Sequence, residues 1–312
     1  MQIGNVVASS VITVKKNWRR GGLKLFLMAI PFIVIVFVFS YIPLFGWIYA
    51  FYDYLPGIAL SKTEFIGLDN FREMLSDGEM TRVMINTLVL SFLSILSSPL
   101  PLVLAVLLNE VKASWFKKLI QTTTTLPNFT SWVIVFSLAF SLFSSEGLIN
   151  QLLMKAGLIN DPLNVLGNER IVWIFQTLLG IWKTIGWSAI IYLAAIAGID
   201  SELYDAAKVD GAGRLKSILH ITLPGISSTF FVLLLLAISN MLSAGFEQYL
   251  VFYNVMVANK IEVLDLFVYR LGLITNDYSY STAVGIFKSV VSIVLLFSVN
   301  HISRKVRGES II

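Results

Sequence analysis

The sequence predicts an all-α, polytopic membrane protein with about six transmembrane helices and with both the N- and C-termini cytoplasmic. Three observations carry that expectation. Hydrophobic residues fill 56% of the 312 positions and charged residues only 13%, about half the charged share of an ordinary soluble domain. Mean hydropathy is +0.79. The apolar residues gather in stretches of the ~20 residues a helix needs to cross a bilayer, and Lys and Arg concentrate in alternate connections between them.

In chain order the stretches are roughly 25–50, 83–108, 119–143, 171–197, 223–243 and 284–301. The first follows Lys15, Lys16, Arg19, Arg20 and Lys24. It runs too long for a signal-peptide core and no small-residue cleavage site follows, so it reads as a retained helix. Pro99 and Pro101 interrupt the second stretch, Pro127 the third, and Gly180 and Gly186 the fourth. Interruptions are usual where a protein lines a pathway, though kinks occur in any membrane bundle. The third stretch has the most polar start, from Gln121 to Thr125. Residues 249–272 carry Asn254, Lys260, Glu262, Asp265 and Arg270. They are too polar for a seventh span and read as an outer loop that dips back. With the N-terminus inside, the cytoplasmic connections hold 14 Lys and Arg and the outer ones 7. That bias gives a cytoplasmic segment 1–24, a transmembrane domain 25–301 and a cytoplasmic tail 302–312.

Composition also excludes several chemistries. Cysteine is absent and histidine occurs twice, at His220 and His301, so no disulfide framework, thiol nucleophile or multi-histidine metal centre is expected. The net charge of +4 comes from basic residues at helix ends, not from one soluble face that could track nucleic acid. Gly211-Ala212-Gly213-Arg214-Leu215-Lys216-Ser217 mimics a phosphate-binding loop, but Leu215 stands where glycine should precede the lysine. No catalytic constellation stands out.

The most informative stretch is the inner loop 199–224. Asp200 or Ser201 can cap a short helix by accepting from its free N–H groups, and Glu202 suits the positive end of the helix dipole. Leu203, Ala206 and Ala207 fall on one face. Gly211 stops the helix because it accepts positive φ. A second helical piece runs through Leu215, Ile218 and Leu219 to Pro224, which fits near the start of the next span. The residues leave two readings open: a surface helix packed on its own bundle, or a stiff helix whose small residues seat it in another protein.

Asp205-Ala206-Ala207, three residues, Gly211, nine residues, then Ile221-x-Leu223-Pro224 resembles the EAA signature of bacterial ABC importer permeases, with Asp205 where glutamate is usual. The resemblance extends over most of the chain. It includes Tyr41-Ile42-Pro43-Leu44-Phe45-Gly46, Gly67-Leu68-Asp69-Asn70-Phe71, Trp182-Lys183-Thr184-Ile185-Gly186-Trp187 and Gly245-Phe246-Glu247-Gln248. Tyr269-Arg270, Ser279-Tyr280-Ser281-Thr282-Ala283-Val284-Gly285 and Gly308-Glu309-Ser310 complete it. Together these look like the branch handling complex saccharides, the LplB-like permeases related to alginate and rhamnogalacturonan importers. Departures are Phe252-Tyr253-Asn254-Val255, where Tyr-Asn-Pro is common, and Lys288, where a neutral polar residue is common.

The resemblance implies a multi-pass permease subunit of a bacterial cell membrane that takes up oligosaccharides or other complex saccharides. A second, homologous permease would complete the pore, two ATPase subunits would bind below, and an extracytoplasmic binding protein would deliver the solute. No cofactor is expected on this chain, since ATP and Mg would be used by the ATPase subunits. The coupling residues so implied are Tyr204, Asp205, Ala206, Ala207, Asp210, Gly211, Ile221, Leu223 and Pro224.

Polar residues inside spans are expensive and usually face a cavity or a partner. Gln176, Gly180, Lys183 and Trp187 share one face of the fourth span at i, i+4, i+7 and i+11. Lysine and indole on one stripe would suit a sugar. Asn240, Ala244 and Glu247 share a face of the fifth span, and Glu247 could neutralise a lysine. Lys288 lies near the start of the sixth. Such groups could equally pair with each other or with a partner permease. As coupling groups of a self-sufficient ion-driven transporter, Lys183, Glu247 and Lys288 would offer another reading, although no inverted internal repeat is visible.

Overall fold

The structure, a computed structural model, describes residues 18–243 and 245–307; residues 1–17 and 308–312, within the expected terminal segments, lie outside the described residues. The chain divides into two units, one ending at Ile48 and the other beginning at Tyr49. In the first, α1 (Trp18–Val36) passes through a π turn (Phe37–Tyr41) into a 3-10 run (Ile42–Phe51) whose last residues belong to the second unit. The helix thus begins inside the segment assigned to 1–24.

The second unit is built of α2 (Asp69–Ser76), α3 (Gly78–Leu96), α4 (Pro99–Glu110), α5 (Ser114–Thr125), α6 (Trp132–Phe143), α7 (Leu148–Lys155) and α8 (Val172–Ala197). After α8 come α9 (Ser201–Val209), α10 (Arg214–Ser217), α11 (Leu223–Ser239), α12 (Phe246–Phe252), α13 (Ala258–Ile261), α14 (Leu264–Tyr269) and α15 (Tyr278–Arg307). Among the described residues, six helical runs are long and apolar enough to cross a membrane: Leu25–Phe51, Gly78–Glu110, Trp132–Lys155, Val172–Ala197, Arg214–Ser239 and Tyr278–Lys305.

Proline breaks the second run where expected. Pro99 lacks an N–H and opens α4 directly after Ser97 and Ser98. The expected third span, 119–143, is not one helix. Pro127 sits in a 3-10 turn (Leu126–Phe129) that ends α5, and α6 restarts with Ser131 accepting from the Ile134 N–H. One expectation fails, on α8. Gly180 and Gly186 interrupt nothing, since α8 is continuous for 26 residues. Pro224 stands second in α11, near a helix start as expected, although the helical run reaches back to Arg214. A π turn (Ile218–Thr222) directly before α11 widens the helix by one residue and accommodates the missing donor.

Residues 246–274 form no span, as their polarity suggested, yet they are the best buried part of the unit. Val257, Val263 and Leu264 are fully enclosed, and Tyr249, Phe252, Ile261 and Leu266 join Leu90, Ala139 and Val172 in one core. The buried carboxylate in this segment is paired, as burial requires. Glu262, 1% exposed, accepts from Arg82 at 3.2 Å and Arg270 at 2.6 Å, and Glu79 bridges the same two guanidiniums at 3.3 and 3.1 Å. A second core joins Met80, Val83, Leu264, Phe267 and Val284. A third, at the other end of α8, joins Ala105, Ala189, Tyr192, Ile196 and Ile226.

Candidate coupling helix and translocation cavity

The α9 helix is delimited by its own sequence. Asp200 accepts from the Glu202 N–H at 2.9 Å. Gly211, with φ +73°, reverses the chain, so its N–H reaches the Lys208 carbonyl at 3.1 Å and the Ala212 N–H reaches that of Ala207 at 2.8 Å. This double closure satisfies the terminal carbonyls, with Asp210 as the C-cap. No residue of α9 is buried. One bolt holds it from the side: the Tyr204 hydroxyl lies 3.0 Å from that of Thr222, which is buried. Behind it, Ile218 and Leu223 pack into the third core with Ile199, while Ile221 is half-buried and Pro224 exposed. Asp205 pairs with Lys208 at 2.8 Å on the open surface, which contributes little. Ala206 is exposed, and Leu203, Val209, Leu215 and Leu219 are exposed apolar groups around it. Of the two readings left open by the sequence, packing on the bundle accounts for Tyr204 and the half-buried Ala207 alone.

About 39 Å of α8, at 1.5 Å per residue, separates that end from the other. Within that length lies a cavity of about 430 Å³. Its polar wall is built of hydroxyls and amides: Ser91 and Ser94 from α3, Thr177 and Thr184 from α8, and Asn240 and Ser243 beyond α11. Gln248 donates to both oxygens of Gln176, side chain and backbone, each at 2.8 Å. Trp132 and Tyr249 supply aromatic surface. Among the described residues, no Asp, Glu, Lys or Arg lines it. Burial pushes the Tyr249 phenol well above its ordinary pKa, so it meets a ligand as a neutral group. The breaks after α3 and α11 border this space, and α6 reaches it with Trp132, its first residue after the break that follows α5, as irregular backbone in a membrane must border a cavity or protein.

Of the six pathway candidates, the structure brings Gln176 and Asn240 to the cavity and leaves four outside it. Lys183 is buried, and its ammonium donates to the carbonyls of Pro127, Asn128 and Thr130 at 3.1, 3.0 and 2.6 Å. All three protons are thereby spent on carbonyls that the break between α5 and α6 releases. Trp187 stands edge-on to Phe129, ring centroids 5.7 Å apart, on the far side of that break. Glu247 is exposed on α12 and does not share a helix face with Asn240, because helix ends at Ser239 and Gly245 turns the chain with φ +51°. Lys288 pairs with Asp265 across α14 and α15. Sequence reasoning missed Trp132, Thr184 and Tyr249. The serines 91, 94 and 97, three apart in an apolar span, were a readable signal of a polar face.

Replacing Lys183 with Met leaves the Asn128 and Thr130 carbonyls without their donor, whereas that of Pro127 keeps the Thr130 N–H at 3.2 Å. The expected cost is about 3 kcal/mol, read as a lowered thermal midpoint of the purified chain in detergent. Unchanged stability with weakened saccharide binding would instead put the ammonium in the pathway.

Residues 97–308 match the model of the binding-protein-dependent transport system inner membrane component. The chain belongs to that family. Protein LplB of Bacillus subtilis (strain 168) is 41% identical over 289 residues, covering 92% of this chain and 90% of LplB. The polygalacturonan/rhamnogalacturonan transport system permease protein YteP of the same organism is 42% identical over 292 residues, 92% of this chain and 89% of YteP. A crystal structure of a bacterial ABC transporter involved in import of the acidic polysaccharide alginate contains a chain of TM-score 0.85 and 36% identity. That match covers 94% of this chain and 98% of the other. A second such structure, in complex with a periplasmic protein carrying an alginate pentasaccharide, matches with TM-score 0.85 and 35% identity over 95% and 100%. This permease is therefore a multi-pass inner-membrane subunit of an ABC importer, not an enzyme, and ATP is hydrolysed by a separate subunit.

Proposed function

We propose that this permease passes oligosaccharides or other complex saccharides, released by an extracytoplasmic binding protein, through the cavity between α3, α6, α8 and α12. The observation that carries the reading is the character of its wall. Uncharged hydroxyls and amides surround two aromatic side chains, and a sugar presents the same mixture of hydroxyls and C–H faces. Gln176 and Asn240 are the substrate contacts we retain from the sequence; Lys183 and Lys288 act by holding helices in place. The relatives support the class: YteP is a polygalacturonan/rhamnogalacturonan transport system permease, and the matching transporter takes part in import of the acidic polysaccharide alginate.

In this reading a second, homologous permease closes the open side of the cavity as a heterodimer, and both termini lie in the cytoplasm. Two ATPase subunits, which use ATP and Mg, bind beneath. The α9 helix seats in one of them. Ala206 and Ala207 allow close approach, Asp205 and Asp210 offer charge at the rim, and the exposed leucines fill apolar ground. Tyr204, Gly211, Ile221, Leu223 and Pro224 mount α9 on α11, so closure of the ATPase pair moves the span that carries Asn240.

Binding protein loaded with a panel of glycans should stimulate ATP hydrolysis by the reconstituted complex for one saccharide class. Equal stimulation by amino acid- or peptide-binding proteins, and none by any glycan, would sink the proposal.

A further inference from the structure

A second cleft, of about 410 Å³, lies along the same two helices as the cavity, toward the Val172 end of α8. Trp132 of the cavity is followed on α6 by Phe136 and Phe140. The spacing of four puts all three on one face. On the facing segment Tyr249 lines the cavity, and Phe252 and Tyr253 line the cleft. Phe136 and Phe252 meet edge to face, centroids 5.1 Å apart, between the two spaces along both helices.

The rim of the cleft is polar. Asn164 and Asn254 are tied into it: Asn164 Oδ1 accepts from the Gly167 N–H at 2.9 Å, and Asn254 accepts from the Met256 N–H at 3.1 Å while donating to the Leu166 carbonyl at 3.2 Å. Glu146 and Tyr253 differ. Neither the carboxylate nor the phenol has a hydrogen-bond or ion-pair partner among the described residues. Aromatic surface beside an uncommitted carboxylate and phenol suits a neutral sugar ring. The rings cover its C–H face, the carboxylate accepts from adjacent hydroxyls, and the same charge repels a uronate or a lipid phosphate.

We propose that this cleft is an outer subsite that holds one neutral pyranose of a glycan whose inner rings occupy the membrane cavity. The proposal rests on the saccharide reading of that cavity and adds a consequence: selection by chain length. A short sugar occupies one space, whereas a longer chain reaches both.

The test uses the complete complex in proteoliposomes, with native, Tyr253→Ala, Tyr253→Phe and Glu146→Gln chains. The readout is the concentration of loaded binding protein that gives half-maximal ATPase stimulation, for neutral oligosaccharides of increasing length and for uronate-ended counterparts. Tyr253→Ala is expected to raise that concentration about tenfold for long chains, the worth of one good aromatic contact, with the effect fading as the chain shortens. Tyr253→Phe keeps the ring and should recover most of the loss. Glu146→Gln should improve the response to uronate-ended chains. A loss independent of chain length, no difference among the four chains, or phospholipid retained by the native protein and released by Tyr253→Ala would each overturn the subsite. Failure of the native complex to respond to any glycan would overturn the saccharide reading itself, and is distinguishable because it needs no variant.

Discussion

A permease carrying Ala206→Trp is expected to fold and enter the membrane like the native chain, yet to lose import by about a hundredfold or more, the scale of a disrupted interface hot spot. The two halves of that expectation come from one observation. Ala206 is exposed and α9 has no buried residue, so an indole at this position displaces nothing within the chain. Surface substitutions of that kind change stability by less than about 0.5 kcal/mol. The cost falls on whatever seats against the small face of Ala206 and Ala207. The checks are a thermal midpoint for the purified chain, co-purification of the ATPase subunits, and substrate uptake. An unchanged midpoint with ATPase and uptake both lost is the expected pattern. Retained association and uptake would remove α9 from the coupling role. Tyr204→Phe should do less: it deletes the hydrogen bond to Thr222 but leaves the caps at Asp200 and Gly211, loosening the mount without altering the seat.

How far the sequence revealed these features depended on how far apart the cooperating residues lie. The α9 helix was legible to within a residue because capping and termination are local: Asp200 bonds two residues on, and the turn at Gly211 closes on carbonyls three and more residues back. The spans were legible because lipid demands long apolar runs. The break at Pro99 followed from one missing donor. Gly180 and Gly186 misled, since a glycine costs a helix only about 1 kcal/mol relative to alanine, less than packing can restore. The face of α8 holding Gln176, Lys183 and Trp187 was identified correctly as a face, but its neighbours were invisible. The carbonyls that occupy Lys183 belong to residues more than fifty positions away, freed by a break whose direction no periodicity reveals. Trp132, which the break turns toward the cavity, was hidden for the same reason. Asn240 and Glu247 were placed on one face by assuming helix through Gly245, where the chain in fact takes a left-handed turn.

Gly186→Ala is expected to cost the fold more than about 3 kcal/mol, at or beyond the upper range for overpacking, whereas Gly180→Ala on the same helix should stay within about 1 kcal/mol of native. A methyl at Gly186 would lie 2.3 Å from both the carbonyl carbon and oxygen of Thr124 and 2.6 Å from the Thr125 nitrogen. These are backbone atoms of α5, and no rotamer change can clear them. At Gly180 the same methyl meets the Gln248 side-chain oxygen at 3.7 Å, an ordinary contact. Moving α5 away from α8 would also draw the Pro127, Asn128 and Thr130 carbonyls off the Lys183 ammonium, because they follow directly on α5. The two losses therefore overlap, and neighbours that share partners do not add. Thermal midpoints in detergent for Gly180→Ala, Gly186→Ala, Lys183→Met and the Gly186→Ala/Lys183→Met pair would measure that overlap. The double variant should lose about 1 kcal/mol or more less than the sum of the single losses. Strict additivity would mean that α5 yields at Gly186 without disturbing the break, and that Lys183 holds its three carbonyls independently of how closely the helices approach.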